Sequence, residues 1–192
     1  MRNRGQRFLA LAAGGDDAQT LEAARALSEI GEEALPALRK LLEDPDPHRR
    51  WWAPRALALI GTDAAISLLI SSLDDTDADV RACAVLALSG LRPDVAADAL
   101  VERLSDSSAY VSRLAADALS QFGQCAVPSL IKALEEGDAA ARAGAARALA
   151  AIQPEEAVRV LCEALDDPSA FVSHYAKEAL DKMGVGTVLL RP

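Results

Sequence analysis

The chain has 192 residues, 51% hydrophobic but only 4% aromatic, and a formal net charge of −9. A core of Ala, Leu, Val and Ile with few β-branched runs favours closely packed helices over sheets. No run approaches the roughly 18 apolar residues of a membrane span, and an acidic body repels nucleic-acid phosphates. Residues 1–55 hold nine basic and nine acidic side chains, residues 56–192 eleven and twenty. The cluster Arg49, Arg50, Arg55 is the basic exception. Cys83, Cys125 and Cys162 are odd in number and lack CxxC spacing. They predict buried or half-buried thiols in a reducing compartment, hence a cytoplasmic protein, with no disulfide frame and no zinc site.

From the N-terminus, "MRNRGQRFLALAAGGDD" looks like a secretory signal, but its apolar run, Phe8 to Ala13, is six residues, short of the usual 7–15. A repeat explains it better. Leucine recurs at Leu11, Leu42, Leu73, Leu104, Leu134 and Leu165, at intervals of 30 or 31. An alanine column runs Ala23, Ala53, Ala84, Ala115, Ala145, Ala176. Three residues on comes the pair Ala-Leu at 26–27, 56–57, 87–88, 118–119, 148–149 and 179–180, then Ile30, Ile60, Leu91, Phe122, Ile152 and Met183. These spacings mark one face of a helix, A. A second helix, B, places Leu38, Leu69, Leu100, Leu130 and Leu161 inward, four residues before the leucine column.

In chain order this predicts a B helix of a half repeat at 5–15, repeats at about 16–46, 47–77, 78–108, 109–138 and 139–169, and a truncated repeat at 170–192. Gly31, Gly61 and Gly123 end A helices, while Asp63 and Pro93-Asp94 begin B helices. The B-to-A turns are acidic and polar, as in "EDPDP", "DDTDAD" and "DDPSA". Such repeats are stable only when stacked, each buried Leu contributing roughly 2 kcal/mol. The expected fold is all-α: a single right-handed α-solenoid over 1–192, of stacked antiparallel helix pairs, eleven or twelve helices in all.

"DADVRACAVLALSGLRPDVAADALVERLSD", "CAVPSLIKALEEGD" and "DDPSAFVSHYAKEALDKMG" resemble the short HEAT-like repeats first associated with phycobilisome (bilin) lyases. The resemblance covers nearly the whole chain and implies a protein-binding scaffold, with function not following from fold alone. The family's Val-Arg pair survives as Val80-Arg81. Arg50 and Arg142 share that arginine column, and Ser112 and Ser173 replace it elsewhere. Arginines there would bond carboxylates and carbonyls of the neighbouring turn in a ladder that the serines shorten.

In "HRRWWAPRALALIG" a helix is expected from Arg50 to Ile60, with Pro54 in its interior at a cost of about 3 kcal/mol. Trp52 aligns with Cys83, Leu114, Gly144 and Tyr175 and faces inward. Trp51 faces outward. Flanked by Arg50 and Arg55, it is either an interface anchor or a cover over the Pro54 kink. The concave face should be lined by outward B-helix residues. One column is Lys40, Ser71, Glu102, Lys132, Glu163 and another is Pro36, Ser67, Asp98, Pro128, Arg159. Mixed signs there suit a protein or peptide partner. Tyr110 and Phe171 stand beside equivalent turns, as an aromatic edge or as covers of those turns.

Catalytic chemistry is thin. His48 and His174 are the only histidines, 126 residues apart, and the His-Glu dipeptides of HEAT-repeat iron hydroxylases are missing. The cysteines have no histidine beside them, and Gly14-Gly15 is no phosphate loop. The expectation is therefore a non-catalytic scaffold or adaptor with no cofactor and no metal, binding no nucleic acid and no membrane. The resemblance also implies an alternative, a bilin-lyase-like protein or chaperone for a phycobiliprotein-type partner, although 4% aromatics make a chromophore pocket hard to build. A HEAT-like DNA glycosylase would need a basic concave face, which the acidic body contradicts. "GVGTVLLRP" leaves an apolar edge, Val188, Leu189 and Leu190, to fold back, dock on a partner, or self-associate.

Overall fold

The structure is a computed structural model that describes residues 2–14 and 17–185, apart from the side chains of 2, 3 and 13. The described residues contain helices and turns and no strand. They fall into two compact units, Met1–Pro93 and Asp94–Pro192, divided in the loop between an A and a B helix.

In the first unit the B helices are α1 (Arg2–Gly14), α3 (Leu35–Leu42) and α6 (Asp63–Ser71). The A helices are α2 (Asp17–Ser28), the one-turn α4 (Pro47–Arg50) continued by α5 (Trp52–Ile60), and α7 (Ala78–Leu91). A helices stack on A helices, α2 on α5 and α5 on α7, and B on B, α1 on α3 and α3 on α6. The second unit repeats the scheme. Its B helices are α8 (Ala97–Glu102), α10 (Val127–Glu136) and α12 (Val158–Glu163); its A helices are α9 (Ala109–Phe122), α11 (Ala139–Ile152) and α13 (Ala170–Lys182). Here α9 packs on α11 and α11 on α13, while α8 packs on α10 and α10 on α12. The shortest B helices, α8 and α12, carry a 3₁₀ turn at each end, a common way to tighten the last turn of a helix.

The periodic columns supply the core, though the first leucine column is buried at Leu73, Leu104 and Leu134 and half-buried at Leu11, Leu42 and Leu165. Leu27, Leu57, Leu88, Leu119 and Leu149 have no exposed surface and Leu180 only 2%, while Leu38, Leu69, Leu100, Leu130 and Leu161 are fully buried on the B side. The alanine column is buried throughout. At Gly144 the approach is closer still: a Cβ there would lie 2.9 Å from Leu104 Cδ2 and 3.3 Å from its Cβ. The last A-helix column is less covered than the rest, with Phe122 buried and Ile30, Ile60, Leu91, Ile152 and Met183 half-buried. In α1 Phe8 fills the core position, fully buried.

Helix ends follow the expected chemistry. Gly31, Gly61 and Gly123 have φ of 55°, 66° and 61°, the left-handed region glycine enters without strain. The equivalent positions in α7 and α11 are held by Arg92 and Gln153, at φ 52° and 58°. Pro54 sits inside the A helix as expected. Trp51 keeps helical torsions, φ −54° and ψ −27°, and its N–H donates to the Pro47 carbonyl at 2.9 Å, so α4 runs on into α5. The bond that is missing is the one Pro54 has no N–H to donate. Gly15 and the apolar residues Val188 to Leu190 lie outside the described residues.

Candidate functional site

The acidic turns do structural work. The Asp44, Asp75, Asp106 and Asp167 carboxylates each accept from the backbone N–H two residues on, at 2.8–3.0 Å. Asp46, Asp77 and Asp138 cap α4, α7 and α11 through their backbone N–H groups. These are the local bonds that suit short carboxylates to turns and N-caps.

The arginine column is tied into the same turns. Arg50 donates through Nε and Nη2 to both Asp75 oxygens at 2.8 and 2.7 Å, and through Nη1 to the Asp44 carbonyl at 2.9 Å. Its side chain is 11% exposed and that of Asp75 10%. Arg142 does the same with Asp167, at 2.7 and 3.1 Å, and with the Gly137 carbonyl at 2.9 Å. Arg81, also buried, donates to the Asp75 and Thr76 carbonyls at 2.8 and 3.2 Å. Where serine replaces arginine, Ser112 Oγ reaches only a carbonyl of its own preceding turn, that of Leu104, at 2.6 Å. Burial pushes the Asp75 carboxyl up, but the Arg50 bond and the Asp77 N–H outweigh it and hold the group below its ordinary 3.8. Asp167 is lowered chiefly by its bond from Arg142.

The sequence-predicted Arg/Trp patch is accordingly altered. Arg50 is enclosed by its own ion pair, which leaves it little surface for a partner. Trp52 faces inward as expected, 6% exposed. Trp51 is half-buried, meets Trp52 edge-on at 5.1 Å between centroids, and has the Arg55 guanidinium stacked 4.3 Å from its ring centre. Tyr110 and Phe171 stand 48% and 71% exposed. Cys125, expected to be at least half-buried, is exposed, because it sits in the 3₁₀ turn Gly123–Ala126 with its thiol donating to the Phe122 carbonyl at 3.2 Å. Burial pushes the Cys83 thiol up to about 11 despite the nearby charge of Arg55.

The outward B-helix residues behave differently. Lys40 on α3 and Ser71 on α6 are exposed in the first unit. In the second unit Asp98, Glu102, Lys132, Arg159 and Glu163 are all exposed. Asp98, Glu102 and Lys132 come together in one groove of about 670 Å³ between α8 and α10. The buried Ala133 and Ala141 and the half-buried Val101 form its floor; the exposed Pro128 stands at the rim with Ser105, Ser129, Glu136 and Asp138. Gly137 closes one end, where a Cβ would stand 2.5 Å from the Ala133 carbonyl oxygen. Arg159 and Glu163 lie apart on α12, where Arg159 pairs with Glu163 at 2.6 Å and with Glu135 at 2.7 Å. The column reading missed Glu136. Its signal was present, because it stands one helical turn beyond Lys132 and so shares its face.

No group of three or more His, Cys, Asp or Glu among the described residues has metal-holding geometry. No described helix is long and apolar enough to cross a membrane.

Among solved structures, an archaeal HEAT-like repeats protein from Thermococcus onnurineus NA1 is 17% identical over 93% of this chain and 80% of that one, with a TM-score of 0.59. The Escherichia coli protein YibA is 23% identical over 96% and 72%, at 0.57. The complex of CpcE and CpcF of phycocyanin lyase from Nostoc sp. PCC7120 is 24% identical over 94% and 77%, at 0.50. These likenesses are of fold, a helical repeat solenoid. No curated protein matches. The profile of the HEAT repeats matches residues 6–89 and 97–181, the stretches whose A and B columns form the two cores, and the chain belongs to the HEAT-repeat family.

Proposed function

We propose that this protein is a non-catalytic scaffold or adaptor that holds a segment of a partner protein on its B-helix face. The observation that carries this is the groove between α8 and α10: an apolar floor rimmed by polar side chains, on two packed B helices. Floors of this kind bury a partner's side chains while the rim fixes its register. Repeat proteins as a class bind through such extended surfaces. The capping aspartates and the arginine column are engaged within and between turns, whereas the B-face side chains Lys40, Asp98, Glu102 and Lys132 are exposed. Three free thiols accord with a reducing, cytoplasmic setting.

The test is capture of partners from source-cell lysate on the wild type and on a Glu102→Ala, Lys132→Ala, Glu136→Ala variant whose circular dichroism and melting match the wild type. A near-stoichiometric, colourless protein lost only from the variant supports the scaffold. Equal capture by both removes the B face. A visible absorbance band on the captured material would instead favour the chromophore-binding alternative.

A further inference from the structure

We infer that the α8/α10 groove takes an extended, cationic segment, with lysine or arginine side chains set against Glu102 and Glu136 and small apolar residues on the floor. This deepens the scaffold function proposed above and rests on it. Four carboxylates and one ammonium line the groove, within a stretch, 94–192, that holds fifteen acidic and nine basic side chains. The four are not equivalent. Asp138 is occupied by the N–H groups of Ala140 and Ala141 and by the Ser105 hydroxyl at 2.8 Å. Asp98 accepts from the Ser129 hydroxyl. Glu102, 73% exposed, has only a 3.6 Å contact with its neighbour Arg103. Glu136 is exposed at the end of α10. Two long carboxylates with most of their hydrogen-bonding capacity open to solvent therefore flank an apolar floor.

Charge complementarity selects the occupant. An acidic segment would meet four like charges and gain one ammonium. A basic segment would gain two charge-assisted pairs at the rim, where solvent keeps desolvation small, and would bury its aliphatic stems along Val101, Pro128 and Ala133. The length of α8 and α10, six and ten residues, suits a short extended segment rather than a folded domain. Lys132 is the sign-giving residue. It opposes a cationic occupant, so its reversal should tighten binding, which a general protein-binding face would not require.

The probe is a fluorescein-labelled ten-residue peptide alternating Lys with Ala and Leu, against a control with Glu in place of every Lys, followed by anisotropy at low and at physiological salt. The expected result is binding of the Lys peptide alone, weakened at least tenfold by Glu102→Lys with Glu136→Lys and tightened about threefold by Lys132→Glu. A Glu155→Lys, Asp181→Lys variant makes the same net-charge change at exposed sites outside the groove and should alter affinity less than twofold. Equal losses in the two double variants would reduce the effect to net charge and overturn the inference. So would preference for the Glu peptide, or no binding by either. If the peptide fails while a lysate partner is still lost from the B-face variant, the cationic occupant is wrong and the scaffold stands. If both fail, the face itself is wrong.

Discussion

Replacing Asp75 with alanine removes the acceptor for both Nε and Nη2 of Arg50 and for the Asp77 N–H. In the intact pair the Arg50 side chain is about nine-tenths covered; without Asp75 it keeps only the Asp44 and Pro45 carbonyls and Thr76 as partners. Removing one member of a buried, bidentate pair costs about 3 kcal/mol, most of it the uncompensated charge left behind. Arg50→Ala should cost about the same, since it strands the carboxylate. The double variant should fall well short of the sum, with a coupling of roughly 2 kcal/mol. Urea unfolding followed at 222 nm measures this, because the pair joins successive turns and so contributes to the interface between neighbouring repeats. The exposed Arg159 pairs are the internal contrast, and Arg159→Ala should leave the midpoint where it is. Losses below about 1 kcal/mol for both single variants, or strict additivity, would refute the claim that the arginine column holds the turns together.

Other outcomes follow from the same contacts. Gly144→Leu, which copies the residue one repeat earlier, should destabilise by about 3 kcal/mol or prevent folding, because Leu104 is fully buried and has nowhere to move; thermal melting reads this directly. Gln153→Gly should stabilise by up to about 1 kcal/mol, relieving the left-handed strain at φ 58° while giving some back as freedom of the unfolded chain, and the melting temperature should rise by a few degrees. Asp75, Asp138 and Asp167 lie below the ordinary 3.8 when folded, so they stabilise fully above that value and lose the contribution as pH falls below it. Urea midpoints taken from pH 6 to pH 3 should drop at the acid end, and less steeply in Asp75→Asn. Maleimide labelling of the native protein should reach Cys125 and spare Cys83 until unfolding, by mass spectrometry of the labelled peptides.

The helix pairs were legible from the sequence because stacking imposes one residue type per column. A site with Leu27, Leu57, Leu88, Leu119 and Leu149 in register admits little else. Also legible was the helix across Trp51 and Pro54, where the periodicity continues and the backbone stays helical. Arg50 carried two readings, a rung of the arginine column and a flank of Trp51, and its bonds to Asp75, 25 residues away, are those the column reading expects. Of the groove, the columns named Asp98, Glu102, Pro128 and Lys132 but not Glu136 or Asp138, because those belong to the end of α10 and to a turn. A cavity is a property of facing elements, and no single column contains it.

The capping aspartates have a consequence for how charge is read in proteins of this architecture. A formal charge of −9 treats every carboxylate alike, yet an aspartate whose oxygen closes a ring onto the backbone two residues on behaves as part of the main chain. Its extra methylene makes glutamate a poor substitute there. The two acids thus behave differently: aspartates in the turns fix how the chain folds back, whereas Glu102, Glu136 and Glu163 on the B helices stand exposed. For the proposed groove the charge that counts is therefore the exposed set, Glu102, Glu136 and Lys132, rather than the formal total.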